Sequence, residues 1–193
     1  YNIKETRILN DTGSIEFDYP YDEKARLISQ NMLVSVNGHI YEISRTTRNM
    51  NGADSLHVYG TPHFVYEAQK AFIPTIGDHI GETSRAVLQA AVKIISDFKE
   101  EVNEKCIFHI MTNAELTAKG MKWVADDELL IDFFSTDKTN LWDVIKTIIE
   151  NLGRGEIFHE TTIDSNNNIV CNIAIVERIG TDNGVRLRLE KNM

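Results

Sequence analysis

Six histidines, two cysteines and a surplus of acids are the side chains of this sequence that could do chemistry. The histidines are His39, His57, His63, His79, His109 and His159. No two of them stand at the i, i+4 spacing of a helical zinc site, and no two cysteines stand a short step apart. The spacing therefore gives no metal site, and stability is expected to be indifferent to a chelator. Asp54, His57 and His63 could converge around a turn, but histidines on strand surfaces are the simpler reading. Cys106 and Cys171 lie in apolar runs, "KCIFHI" and "IVCNIAI", which suit buried free thiols better than a disulfide. A G-x-S-x-G nucleophile elbow is missing, and "GRG" at 153–155 closes a helical pattern instead of opening one, so it offers no phosphate cradle. Asp126-Asp127-Glu128 could hold Ca²⁺ or act as acid and base, yet adjacent acids before an apolar run suit a solvated turn. Trp123 and Trp142, and the trio Phe64, Tyr66 and Phe72, could line a carbohydrate groove. Trp142 falls on an apolar helix face and belongs to a core. The residues name no catalytic, cofactor-binding or metal-binding set.

The elements that must position these side chains come from a chain of 193 residues, 42% hydrophobic and 25% charged, with a net charge of −9. That length can bury a real core, and the composition is that of a folded protein. The acidic balance lacks the basic stripe of a nucleic-acid surface, so no nucleic-acid specificity is expected. No run approaches a membrane span of about 20 apolar residues, so no stable membrane anchor is expected. Tyr1 stands where a starting methionine would, and no secretory signal pattern follows it.

"SIEFDY" at 14–19 alternates as a half-buried strand. "DEKARLI" at 22–28 suits a short helical turn. "MLVSVNGHIYEIS" predicts a tight hairpin at Asn37-Gly38, because that pair tolerates positive φ at both turn positions. Asn51-Gly52 predicts a second turn, into a strand around Leu56 to Tyr59. The pattern changes after Pro62 and Pro74. Residues 83–102 carry Val87, Leu88, Ala91, Ile94, Ile95, Phe98 and Val102 at helical spacing, capped by Thr83 or Ser84. Residues 140–152 form a second helix, capped by Asn140 or Thr139 and ended by Gly153. "CIFHIM", "ELLIDFF", 156–163, 169–178 and 185–189 are strand candidates, the last entered through Asn183-Gly184. Strands, helix, strands, helix, strands predict an α+β fold with an antiparallel, strand-rich barrel-like part and a helix-containing insert.

Three stretches, taken in order, resemble phage tail hub proteins, the tail-associated family labelled prophage endopeptidase tail. "ETRILNDTGSIEFDYPYDEKARLISQNMLVSVNGHIYEIS" is similar to the family's opening barrel. "LWDVIKTIIENLGRGEIF" is similar to its helix-then-strand insert segment, with Leu152-Gly153-Arg154-Gly155 where Leu-Gly-Gly is usual. "GTDNGVRLRLEKNM" is similar to the return from the insert into the barrel. The resemblance implies a barrel-like region over 1–75, an α+β insert over 76–178 and a return strand over 179–193. It also implies a homo-trimer at the virion tail tip, made in the bacterial host cytoplasm. Its partners would be the distal tail ring, the tape measure and receptor-binding parts. Enzymatic parts of such proteins lie C-terminal to the hub, so no catalytic residue is carried over. The stop at Met193 reads as a boundary within a longer protein. The competing expectations are a carbohydrate- or peptide-binding module on a small barrel and, more weakly, a cell-wall hydrolase using Asp126 to Glu128.

Overall fold

The computed structural model describes residues 3–50, 54–98, 106–124 and 129–179. Five strands, β1 (Ile3–Thr6), β2 (Ser14–Pro20), β3 (Leu33–Val36), β4 (His39–Asn49) and β5 (Ser55–Pro62), form one antiparallel sheet in the order β1-β2-β5-β4-β3. The expected hairpin joins β3 to β4, with Asn37 at φ 51° and Gly38 at φ 81°. Both central residues take the left-handed conformation that a primed turn demands. A register shift between Ile43 and Arg45 bends β4.

The sheet curls. Glu5 on β1 accepts hydrogen bonds from Tyr41 Oη on β4 and from Asn37 Nδ2 in the hairpin turn, 3.2 Å away. One edge strand is thereby tied to the far hairpin. Burial opposes charge on Glu5, but the bonds from Tyr41, Arg7 and Asn37 hold its carboxyl down to about 2. A small core of Ala25, Ile43, Leu56 and Val58 lies against the sheet, covered by the short 3-10 turn Ala25–Leu27.

A larger core gathers the residues after Pro62. It is built from α1 (His63–Lys70), β6 (Phe72–Ile76), β7 (His79–Thr83), α2 (Ser84–Phe98), β8 (Cys106–Ile110), α3 (Asn113–Ala118), β9 (Leu130–Phe133), β10 (Thr136–Asn140), α4 (Leu141–Leu152), β11 (Glu156–Ile163) and β12 (Ile169–Val176). The two amphipathic helices stand where their periodicity put them. Thr83 Oγ1 accepts from the Ala86 amide, and Asn140 Oδ1 accepts from Asp143 N at 2.9 Å. Gly153, at φ 64°, closes α4 by donating to Ile149 O. The chain is α+β, and among the described residues its strands pair antiparallel with one exception: β12 runs parallel to β8 in the sheet β11-β12-β8.

The expected second turn at Asn51-Gly52, the Asn183-Gly184 hairpin and the return strand lie outside the described residues, as do Asp126 to Glu128. The strand around Leu56 is longer than expected, reaching Pro62. The expected strand in "ELLIDFF" is β9, paired with β7. Helix α1, the four-residue β1 and strands β6, β7 and β10 carried no sequence signal strong enough to name them.

One tether joins the first sheet to the small one. The Asn10 side chain donates from Nδ2 to Gly155 O (2.9 Å) and accepts from Ile157 N (2.7 Å), so an amide imitates a strand neighbour for β11. Asn10 also sits at φ 55°, which asparagine tolerates better than most residues. Asn10→Ala leaves two part-buried backbone groups without this partner and is expected to cost about 1–3 kcal/mol. Chemical denaturation against the wild type reads the loss.

Candidate functional site

Two places gather polar side chains. The first is a cleft of about 490 Å³ between residues 6–13 and β11. Its polar wall includes His39, Glu156, Glu160 and Arg178, and its apolar wall includes Ile40 and Ile157. The Ile179 amide donates to Glu156 Oε2 at 2.6 Å. Tyr41 and Thr161 also line it, the Tyr41 hydroxyl donating to Glu5, and its mixed polar and apolar walls suit binding by shape and charge.

His159 forms part of that wall and stacks on Phe64, with ring centroids 5.0 Å apart and planes 17° from parallel. Burial, with the charges of His39 and Arg7, pushes its pKa down from 6.5 to about 4. A base whose folded pKa lies below its unfolded value resists the proton that the unfolded chain accepts. Its contribution to stability is therefore complete above about 6.5 and is lost as pH falls toward about 4. Unfolding free energies measured across that window are expected to decline on the acid side, and His159→Phe should flatten the slope. Glu5 and Glu115, held down to about 2, add their losses only as pH falls from 4.5.

The second place is interior. Glu42 on β4, His63 and Glu67 on α1, and Cys106 and Cys171 on β8 and β12 are drawn together where the two cores meet. Glu42 is 4% exposed, His63 1% and Glu67 3%. Four-residue spacing puts His63 and Glu67 on one face of α1, and α1 packs on β4 and β5 as well as on α4 and β11. His63 Nδ1 bonds Glu42 Oε2 at 3.0 Å. Burial disfavours the imidazolium, but Cys106, Glu42 and Glu67 together raise its pKa to about 9. Cys171 Sγ lies 3.6 Å from Cys106 Sγ. That neighbour and burial push the Cys106 thiol well above its ordinary range. Buried charges of this kind persist when paired.

The other sequence candidates disperse. Asp54 pairs with Arg48 at 2.5 Å, His57 with Asp18 at 2.6 Å and His63 with Glu42, so Asp54, His57 and His63 do not converge. His79 bonds Glu82 and His109 bonds Glu115, both at 3.0 Å. Trp123 is buried and donates to Met111 O; Trp142 is buried edge-on to Phe64. The aromatic trio makes no strip: Phe64 is fully buried, Tyr66 lies under Lys70 Nζ at 3.8 Å, and Phe72 stands apart, 44% exposed. Sequence reading missed the interior cluster. Its one local signal was His63-x-x-x-Glu67, which needed α1 to be recognised as a helix. The two thiols, judged apart in sequence, meet through a parallel register.

Solved structures similar to this fold include two tail-related proteins. One is the prophage tail protein gp18 from Listeria monocytogenes EGD-e, at 14% identity and a TM-score of 0.47, matched over 88% of this chain and 43% of that one. The other is the E. coli c3393 protein, a component of the type VI secretion system with structural similarity to T4 bacteriophage tail proteins gp27 and gp5. It matches at 7% identity and a TM-score of 0.43, over 89% of this chain and 46% of that one. This chain spans less than half the length of either. No family model matches the sequence, and no curated protein does. Among the described residues no helix is long and apolar enough to cross a membrane.

Proposed function

We propose that this chain is a structural component of a phage tail tip or tail-like particle, the hub or baseplate part that joins the tail tube to host-recognition or wall-penetrating parts. The observation that carries the reading is the order of parts. A curled antiparallel sheet over residues 3–62 precedes a helix-containing α+β body, which is the order implied by the first two motif resemblances. The division into a barrel-like region over 1–75, an insert over 76–178 and a return strand over 179–193 belongs to the proposal, as do a homo-trimer and contacts with the distal tail ring and tape measure.

Surfaces suited to assembly support it. Among the described residues the curled sheet has two edge strands, β1 and β3, and sheet edges invite pairing unless a neighbour covers them. Exposed apolar side chains cluster nearby: Ile8 and Leu9 after β1, and Leu27, Met32 and Leu33 around β3. A closed ring uses two different patches, one on each side of the subunit. The role needs no catalytic group, and none is proposed.

Antibody labelling of purified particles tests the reading. The expected result is label at the tail tip and tailless or non-infectious particles when the gene is deleted. Normal particles without the protein, or label confined to the capsid, would sink it. A tape-measure reading frame directly upstream is the expected genomic neighbour.

A further inference from the structure

We propose that His63, Cys106 and Cys171 form a structural zinc site that locks α1 to the β8–β12 pair. One ring nitrogen of His63 and the two sulfurs all lie within 4.8 Å of one another, in a half-buried to fully buried setting. Two thiols and an imidazole are the donor set that zinc selects. The sulfurs are 3.6 Å apart, close to the roughly 3.8 Å that separates two sulfurs each about 2.3 Å from a tetrahedral zinc.

A second observation points the same way. Among the described residues His63 Nε2 is buried and makes no hydrogen bond of good geometry, although the Cys106 sulfur lies close enough to act on the ring; that is an expensive state for a polar atom. Its other nitrogen is bonded to Glu42 Oε2 at 3.0 Å. A carboxylate holding one nitrogen so that the other faces a metal is the usual support for a zinc-binding histidine. Glu42 is thus a positioning residue, and Glu67, grouped with Glu42 and His63 within 4.8 Å, adds negative charge that acts on both His63 and Cys106. Zn²⁺ takes the place of the protons on the two thiols and on Nε2, so binding releases protons.

The alternative use of two neighbouring thiols is a disulfide, and the strand register opposes it. Cys106 is the partner of Ile169, two residues before Cys171. With about 3.3 Å of rise per residue along a parallel strand and about 4.8 Å between strands, that two-residue offset sets the two Cα atoms about 8 Å apart, beyond the roughly 4.4–6.8 Å that a disulfide spans. The sequence-based expectation of indifference to a chelator fails if the site fills.

The test uses the full chain with the metal alone. Purified protein exchanged into Co²⁺ is expected to take up one ion per chain with thiolate-to-cobalt charge-transfer absorption and the intense visible bands of a tetrahedral site. Cys106→Ser and Cys171→Ser should each abolish the charge-transfer absorption, and Glu42→Gln should weaken Zn²⁺ binding by about 10–100-fold. Cobalt uptake without thiolate absorption, which exposed histidines alone would give, overturns the proposal, as does a Cys106–Cys171 disulfide in zinc-supplemented protein. Should the serine variants not fold, alkylation of the wild type decides: Zn²⁺ should slow modification of both cysteines at least about tenfold, in line with the affinity that such a site confers, and unchanged rates overturn the site.

Discussion

Phe64→Ala is expected to lower the unfolding free energy by about 3–5 kcal/mol, the largest effect of any single apolar truncation here. Phe64 is fully buried, and three rings surround it: Phe108 and Trp142 edge-on at 6.2 Å and His159 stacked at 5.0 Å. These partners sit on β8, α4 and β11, so the ring joins three elements through one side chain. Their number limits how far the cavity can collapse, which places the cost at the upper end of the usual range. Urea titration should show a shifted midpoint with an unchanged slope. Phe72→Ala, at a side chain 44% exposed, serves as the control and should stay within about 0.5 kcal/mol. Equal losses at the two positions would contradict this account of the core.

The same aromatic pair shows what sequence could and could not tell. Phe64, Tyr66 and Phe72 look alike as letters near two prolines, and nothing local says that the first faces a core and the last faces water. Helix α1 begins directly after Pro62 and is eight residues long, too short for periodicity to outweigh its β-branched and aromatic content. By contrast, α2 and α4 repeat their apolar face over three turns or more, and Asn37-Gly38 states its backbone requirement in two letters. Among the described residues strands β6 and β10 pair only with each other, and "TDKTN" carries no apolar alternation. The short α3 did leave a trace: Thr112 and Glu115 form a reciprocal capping box, a pattern written in the sequence as T-x-x-E. The interior cluster left almost none, because it depends on a parallel register between strands distant in the chain.

His63→Ala is expected to cost about 3–5 kcal/mol in metal-free protein. The imidazole is 1% exposed and bonds Glu42, itself 4% exposed. Removing it strips a buried carboxylate of its cationic partner, and water does not reach the gap cheaply. Substituting both members separates the strength of the pair from the cost of abandoning one. Glu42→Gln with His63→Ala should lose clearly less than the sum of the single losses, with a coupling of about 1–3 kcal/mol. Strict additivity across the cycle would show that the two residues do not act as a pair.

The parallel pairing of β8 with β12 also imposes an order of events on a chain emerging from the ribosome. β11 and β12 are joined by a short turn at Asp164 to Asn168 and can zip at once. β8 cannot find its neighbour until that hairpin exists, because the cysteines it will juxtapose are 65 residues apart. Closing so long a loop is entropically slow. Through that delay "CIFHI" waits as a bare apolar strand, the segment of this protein most exposed to mispairing before the fold is complete. Its cure is synthesis of the last third of the chain, so premature truncation before Ile169 should yield aggregate where truncation after Val176 yields soluble protein.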